Sequence, residues 1–169
     1  VASMKTLGLL GGMSWESSIE YERVINELVR ERLGGVASAD LLIRSFNFAD
    51  IEALQGAGDW PGAATVLSDA AQDLQRSGAE GVVLCTNTMH KVASRIRAAV
   101  PIPFLHIADP VGEAAARAGS TTVGLLGTAF TMEQSFFRDH LAQIHGLTVL
   151  VPEPDERAAV HRIIYEELC

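Results

Sequence analysis

The chain has 169 residues, with 13 Lys and Arg against 21 Asp and Glu, a formal net charge of −8 and a pI near 5.0. Hydrophobic residues make up 48% and charged residues 20%, the composition of a globular protein with chain enough for one domain or two small ones. Scattered Lys and Arg with no run of five like charges exclude a nucleic-acid or anionic-membrane surface. No apolar stretch approaches the roughly 20 residues of a membrane span, and no signal peptide is visible. Two cysteines 84 positions apart make no disulfide framework, so a cytoplasmic location is expected.

In chain order, residues 6–10 form a short apolar run closed by Gly11 and Gly12, which reads as a buried parallel strand ending in a tight turn. Ser14 is a good N-cap, with Glu16 in the first turn of a helix running to about Leu33. Ile19, Val24, Ile25, Leu28 and Val29 give that helix an apolar stripe, and Gly34 stops it. Residues 41–43 are a second strand. Asp59, Trp60 and Pro61 open a helix with Ala64, Leu67, Ala71 and Leu74 on its buried face, ended by Gly78. Residues 81–84 are a third strand that runs into Cys85, Thr86, Asn87, Thr88, Met89 and His90, followed by a helix through about Ala99. Residues 104–107 make a fourth strand. Asp109 is the expected N-cap of a helix with Pro110 at its first position, ending at Gly119. A strand over 122–126, a helix over about 132–144, a strand over 148–151 and a last helix from about Glu156 complete the pattern. Val160, Ile163, Ile164 and Leu168 share one face of the last helix. Strands alternating with helices mean an α/β fold of parallel sheets flanked by helices.

One repeat stands out. The run Thr6, Leu7, Gly8, Leu9, Leu10, Gly11 recurs as Thr122, Val123, Gly124, Leu125, Leu126, Gly127, 116 positions later. A duplicated chain would place a counterpart of Cys85 near position 201, so the second half is expected to be incomplete in this sequence.

Cys85 is the sharpest chemical feature. It follows a buried strand and precedes a helix, at the strand end where open α/β sheets bind ligands. A thiol at a helix start has its thiolate favoured, which predicts a depressed pKa. Thr86, Asn87 and Thr88 add polar donors suited to a small carboxylate. The glycine turn at 11–14 lacks the dinucleotide fingerprint and the P-loop lysine, and is read as a plain tight turn or a close backbone approach to a small anion. His90 reads as a structural histidine, and Trp15 and Trp60 as packing residues. No set of His, Cys, Asp and Glu has metal-ligand spacing, and no nucleophile-elbow motif occurs.

The segment 9–17 with Gly11, Gly12, Met13, Ser14 and Trp15, together with Cys85, Thr86, Asn87, Thr88, Met89, His90 and Lys91, resembles the aspartate/glutamate racemases that work without pyridoxal phosphate. Gly127, Thr128 and residues 163–168 extend the likeness over essentially the whole chain. The resemblance implies two similar α/β domains related by a pseudo-two-fold axis, residues 1–104 forming the first and 105–169 part of the second, with the active site between them. It implies a two-thiol racemisation of amino acids with no cofactor and no metal, on a small amino-acid substrate, in a homodimer with no nucleic-acid or membrane partner. Cys85 matches the first catalytic cysteine; Met13, Gln55, Thr86, Asn87, Thr88 and Thr128 match substrate-binding positions. The second catalytic cysteine is expected beyond residue 169, and Cys169, on a helix, does not replace it. The lysine and arginine that some members use for a side-chain carboxylate have no counterpart here, which broadens the expected substrate set. A one-cysteine decarboxylase or isomerase of dicarboxylates, or a carboxylate-binding protein without catalysis, remain the other readings.

Overall fold

The structure, a computed structural model, describes residues 4–168. It divides into two compact units, one of residues 1–86 and 92–105, the other of residues 87–91 and 106–169. The short segment 87–91, assigned from the sequence to the first domain, groups with the second unit.

The first unit holds a four-stranded parallel sheet in the order β2-β1-β3-β4, with β1 Leu7–Gly11, β2 Leu41–Ser45, β3 Gly81–Leu84 and β4 Phe104–Leu105. Its helices are α1 Trp15–Leu33, α2 Phe48–Gly56, α3 Trp60–Arg76 and α4 Ala93–Ala99. The apolar runs of β1 and β3 are buried because a parallel sheet is covered on both faces. α3 supplies much of that cover. Asp59 accepts the Gly62 N–H at 2.9 Å to cap it, Pro61 sits in its first turn, and Ala63, Ala64, Leu67, Ala70, Ala71 and Leu74 are buried. The small residues let α3 lie close to the sheet. A Cβ on Gly8 would already stand 3.1 Å from Ala79 and Leu74.

α1 differs from its expectation. It runs from Trp15 to Leu33 and stops at Gly34 with a positive φ of 76°, but none of its residues is buried. Ile19, Val24 and Leu28 are more than two-fifths exposed, and Trp15 is 60% exposed rather than packed. α2 is an element that the sequence pattern did not reveal. Its apolar residues are not segregated to one side, so the helical period gives no signal.

The second unit holds a two-stranded parallel sheet, β5 Thr122–Gly124 with β6 Thr148–Leu150. Its helices are α5 Ala108–Arg117, α6 Ala129–Glu133, α7 Ser135–His145 and α8 Pro154–Ile163, the last followed by a wide turn over Ile164–Leu168. Ala108, Ala115, Phe137, Leu141 and Leu147 form its core, with Val123, Leu125 and Val149 packed against them. The single helix expected over 132–144 is two, because Gln134 is extended (φ −81°, ψ 150°) and restarts the chain as the N-cap of α7. Glu153 and Glu156 make a reciprocal capping box at the start of α8. The stripe of Val160, Ile163 and Ile164 on α8 is not buried. Cys169 lies outside the described residues. Among the described residues no helix is long and apolar enough to cross a membrane.

Leu67 is fully buried on α3, whereas Val36 is 99% exposed. Leu67→Ala is expected to lower the unfolding free energy by about 2–5 kcal/mol and Val36→Ala by less than about 0.5 kcal/mol, read from urea midpoints by circular dichroism.

Candidate active site

The first unit's contribution is set by strand register. β1 and β3 pair in parallel from Leu7 with Gly81 to Leu10 with Leu84, and the Cys85 N–H continues the ladder by donating to the Leu10 carbonyl at 2.9 Å. The loops after both strands therefore leave the sheet at one height, on its C-terminal edge. The glycine turn after β1 is closed from within. Gly12 has φ 82° and packs so tightly on the backbone of Phe46 that any Cβ would strike it. Its N–H donates to Ser18 Oγ at 2.7 Å, and Ser18 Oγ donates to the Ser14 carbonyl at 3.2 Å. That amide is thus committed to α1. Met13 beside it is buried, as is Gln55 on α2. Thr86 is half-buried.

Cys85 is fully buried, and burial pushes its thiol up to about 12. The expected depression is reversed for a structural reason. Residues 85–87 are irregular, and they lead into a 3-10 turn over Thr88–Val92 before α4 begins at Ala93. No α-helix starts at the sulfur, and the cysteine's own amide serves the strand ladder. Tyr21 is a residue the sequence pattern did not single out. Its phenol is raised to about 12, first by burial and then by the negative charge of an ionised Cys85, which puts the two groups within electrostatic reach. The signal was available: Ser14, Ser18 and Tyr21 fall at helical spacings of four and three, and Ser18 already faces the glycine turn.

The second unit carries the other expected polar residues. Asn87 is exposed and its carbonyl accepts the His90 N–H at 3.0 Å. Thr88 is buried, with Oγ1 3.2 Å from Thr128 Oγ1. Thr128 is the N-cap of α6: its hydroxyl accepts the Thr131 N–H at 3.4 Å and stands 3.3 Å from the Thr131 hydroxyl. The fold thus brings together two residues 40 positions apart that the sequence could only name separately.

Histidines form the rest of the polar interior. His90 is buried and its Nε2 accepts the Ile107 N–H at 3.1 Å, while His106 Nδ1 accepts the Ala108 N–H at 3.2 Å. Asp109 is not the N-cap of α5, which Ile107 occupies. Its Oδ1 instead pairs with Nε2 of His140 at 2.6 Å and of His145 at 3.1 Å. Burial pushes the Asp109 carboxyl up, but hydrogen bonds from the two histidines and the charges of His140 and His106 outweigh it and hold the group below the ordinary carboxylate value. Gly112 gives the His145 ring its room, since a Cβ there would overlap the imidazole. Ligating atoms of His106, Asp109 and His140 lie within 4.8 Å of one another, a grouping no sequence spacing announced. The His106 and His140 rings are parallel, 3.7 Å apart with 3° between planes, so their in-plane lone pairs run side by side rather than converging on one ion. The cluster as it stands is a hydrogen-bond network centred on Asp109.

Beyond this geometry, likeness to known proteins decides the family. Residues 10–168 match the family model described as Asp/Glu/Hydantoin racemase. The chain belongs to this racemase family. A candidate Asp/Glu racemase from Yersinia pestis is 54% identical, with a TM-score of 0.93 over 98% of this chain and 72% of that one. An aspartate racemase homologue from Pyrococcus horikoshii is 36% identical, with a TM-score of 0.84 over the same shares. An aspartate racemase from Picrophilus torridus shares the fold at 13% identity, with a TM-score of 0.72 over 95% of this chain and 73% of that one.

Two outcomes are expected of the racemase chain. In the Cys169→Ser variant, alkylation of Cys85 by iodoacetamide should stay slow through neutral pH and rise only well above pH 8.5, roughly the value of a free thiol; mass spectrometry of quenched samples reads it. For Asp109 the folded state favours the ionised carboxylate, so its contribution is present above the ordinary value near 3.9 and is lost as pH falls through its lowered folded value. Asp109→Asn should therefore lower the urea midpoint at pH 7 and cost less with each step below about pH 4.

Proposed function

We propose that the chain carries the Cys85 half of a cofactor-independent racemase for aspartate, glutamate or a somewhat broader set of small amino acids. The observation that carries the reading is a buried thiol at the C-terminal edge of β3, in a chain of the Asp/Glu/hydantoin racemase family. Racemisation breaks the Cα–H bond on one face and forms it on the other, so it needs an acid and a base facing each other. A thiol held up to about 12 keeps its proton at neutral pH, so Cys85 starts as the acid. It gives that proton to the planar carbanion and becomes the thiolate, which removes the α-proton in the opposite direction. The substrate ammonium favours that thiolate while it is bound. Placed proton transfer contributes roughly 10²–10⁴-fold, and the developing enolate oxygens need aimed donors for the rest. In this reading Thr86, Asn87, Thr88 and Thr128 supply them, and Met13 and Gln55 bound the side-chain end.

The partner thiol belongs near position 201 by the repeat offset, in a homodimeric cytoplasmic enzyme that uses no cofactor. The 169-residue chain by itself is accordingly expected to racemise little, and a chain extended past position 201 to racemise fully. Chiral chromatography after incubation with L-aspartate and L-glutamate, with α-proton exchange into D₂O followed by NMR, tests both. Cys85→Ser in the extended chain should abolish racemisation while binding persists, because a serine hydroxyl keeps the shape but holds no charge near pH 7. Exchange without inversion would point instead to one-base chemistry, and binding with no exchange to a carboxylate-binding protein.

A further inference from the structure

The structure assigns to His161 a role in positioning Thr128, an inference that rests on Thr128 lining the substrate site. Thr128 is held on two sides. Its hydroxyl is fixed by Thr131 and Thr88. Its main chain is fixed from α8, 32 positions away, where His161 Nδ1 accepts the N–H of Ala129, the very next residue, at 3.1 Å.

This tether is polar by construction. No residue of α8 is fully buried. The helix reaches α6 through Arg157 Nε, 3.2 Å from Glu133 Oε1, and through His161 one turn later. Arg157 also donates to the Pro152 carbonyl at 2.8 Å, which anchors the start of α8. The Tyr165 ring centre lies 4.7 Å from the imidazole, and one turn earlier on α8 the charges of Arg157 and Glu133 are paired with each other.

An N–H can be accepted only by an unprotonated nitrogen. Protonated at Nδ1, the ring would turn a donor toward a donor and release Ala129. His161 therefore fixes the setting of Thr128 through an acceptor nitrogen rather than through bulk. Asn at position 161 can offer Oδ1 close to the place of Nδ1 without titrating. Gln offers its oxygen one bond further out, near the place of Nε2, and cannot reach in the same way.

The test compares wild type with His161→Asn, His161→Gln and His161→Ala, all in the chain extended past position 201. The substrate-independent readout is the Ala129 amide, followed by ¹⁵N–¹H NMR and hydrogen exchange near neutral pH. Ala129 is expected to lose protection in the Gln and Ala variants, while His161→Asn keeps it. The second readout is KM for L-aspartate and L-glutamate. KM should rise about tenfold in His161→Gln with kcat changed far less, and His161→Asn should restore it, since one hydrogen bond is worth about that factor. An Ala129 amide indifferent to the Gln variant would overturn the positioning role whatever the enzyme does. Equal losses in Asn and Gln would show bulk packing rather than the acceptor nitrogen and would overturn it too. A wild-type chain that neither binds nor exchanges either amino acid, with the Ala129 responses intact, would sink the racemase reading and with it the link from His161 to substrate. Should His161→Ala fail to fold, the Asn and Gln pair still decides.

Discussion

The parallel pairing of β1 with β3 is the constraint on which the first unit's site depends. Because Leu10 stands opposite Leu84 and the Cys85 amide closes on the Leu10 carbonyl, the two loops after these strands have no freedom to leave the sheet at different heights. Everything nearby is adapted to that edge. Gly8 admits α3 against the sheet, and Gly12 takes a left-handed conformation against Phe46. Ser18 then reaches back from α1 to satisfy the freed amide.

The burial of Cys85 gives its thiol a character unlike that of a helix-start cysteine. A helix start would hold a resting thiolate ready to attack, as nucleophilic enzymes require. A desolvated thiol resists charge until something nearby compensates it. For the proton transfer proposed above this would be an advantage, since a group that keeps its proton until a cationic substrate arrives does not react with passing electrophiles. Tyr21, raised by the same burial, stays protonated beside it and adds no second negative charge.

Much of this was legible in the sequence, and the misses have physical causes. The strands at 7–11 and 81–84 are apolar runs between glycines and polar turns, which is how a doubly covered parallel strand must read, while β2 at the sheet edge kept only the shorter apolar signal of residues 41–43. The α3 helix declared itself by its cap at Asp59 and its alanine face. Periodicity failed where burial is not what sets the structure. α1 carries a clear stripe that lies on no core, and α2 has no stripe at all. Asp109 next to Pro110 looked like a cap because those residue types favour that position, yet tertiary partners 31 and 36 residues away claimed its carboxylate. The same holds for Thr88 with Thr128 and for Ala129 with His161. Each partner was visible as a residue, while the pairing exists only once the chain is folded. Cys85 could be found from its place after a strand, but the sign of its shift could not, because that depends on how the chain leaves the strand.

All five histidines, at positions 90, 106, 140, 145 and 161, belong to the second unit. Three of them accept backbone amides at the beginnings of α5 and α6, and two face one carboxylate. The two halves share a recurrent strand sequence yet differ in how their helices begin: a carboxylate caps α3 in the first, whereas imidazole nitrogens accept the amides at the starts of α5 and α6 in the second.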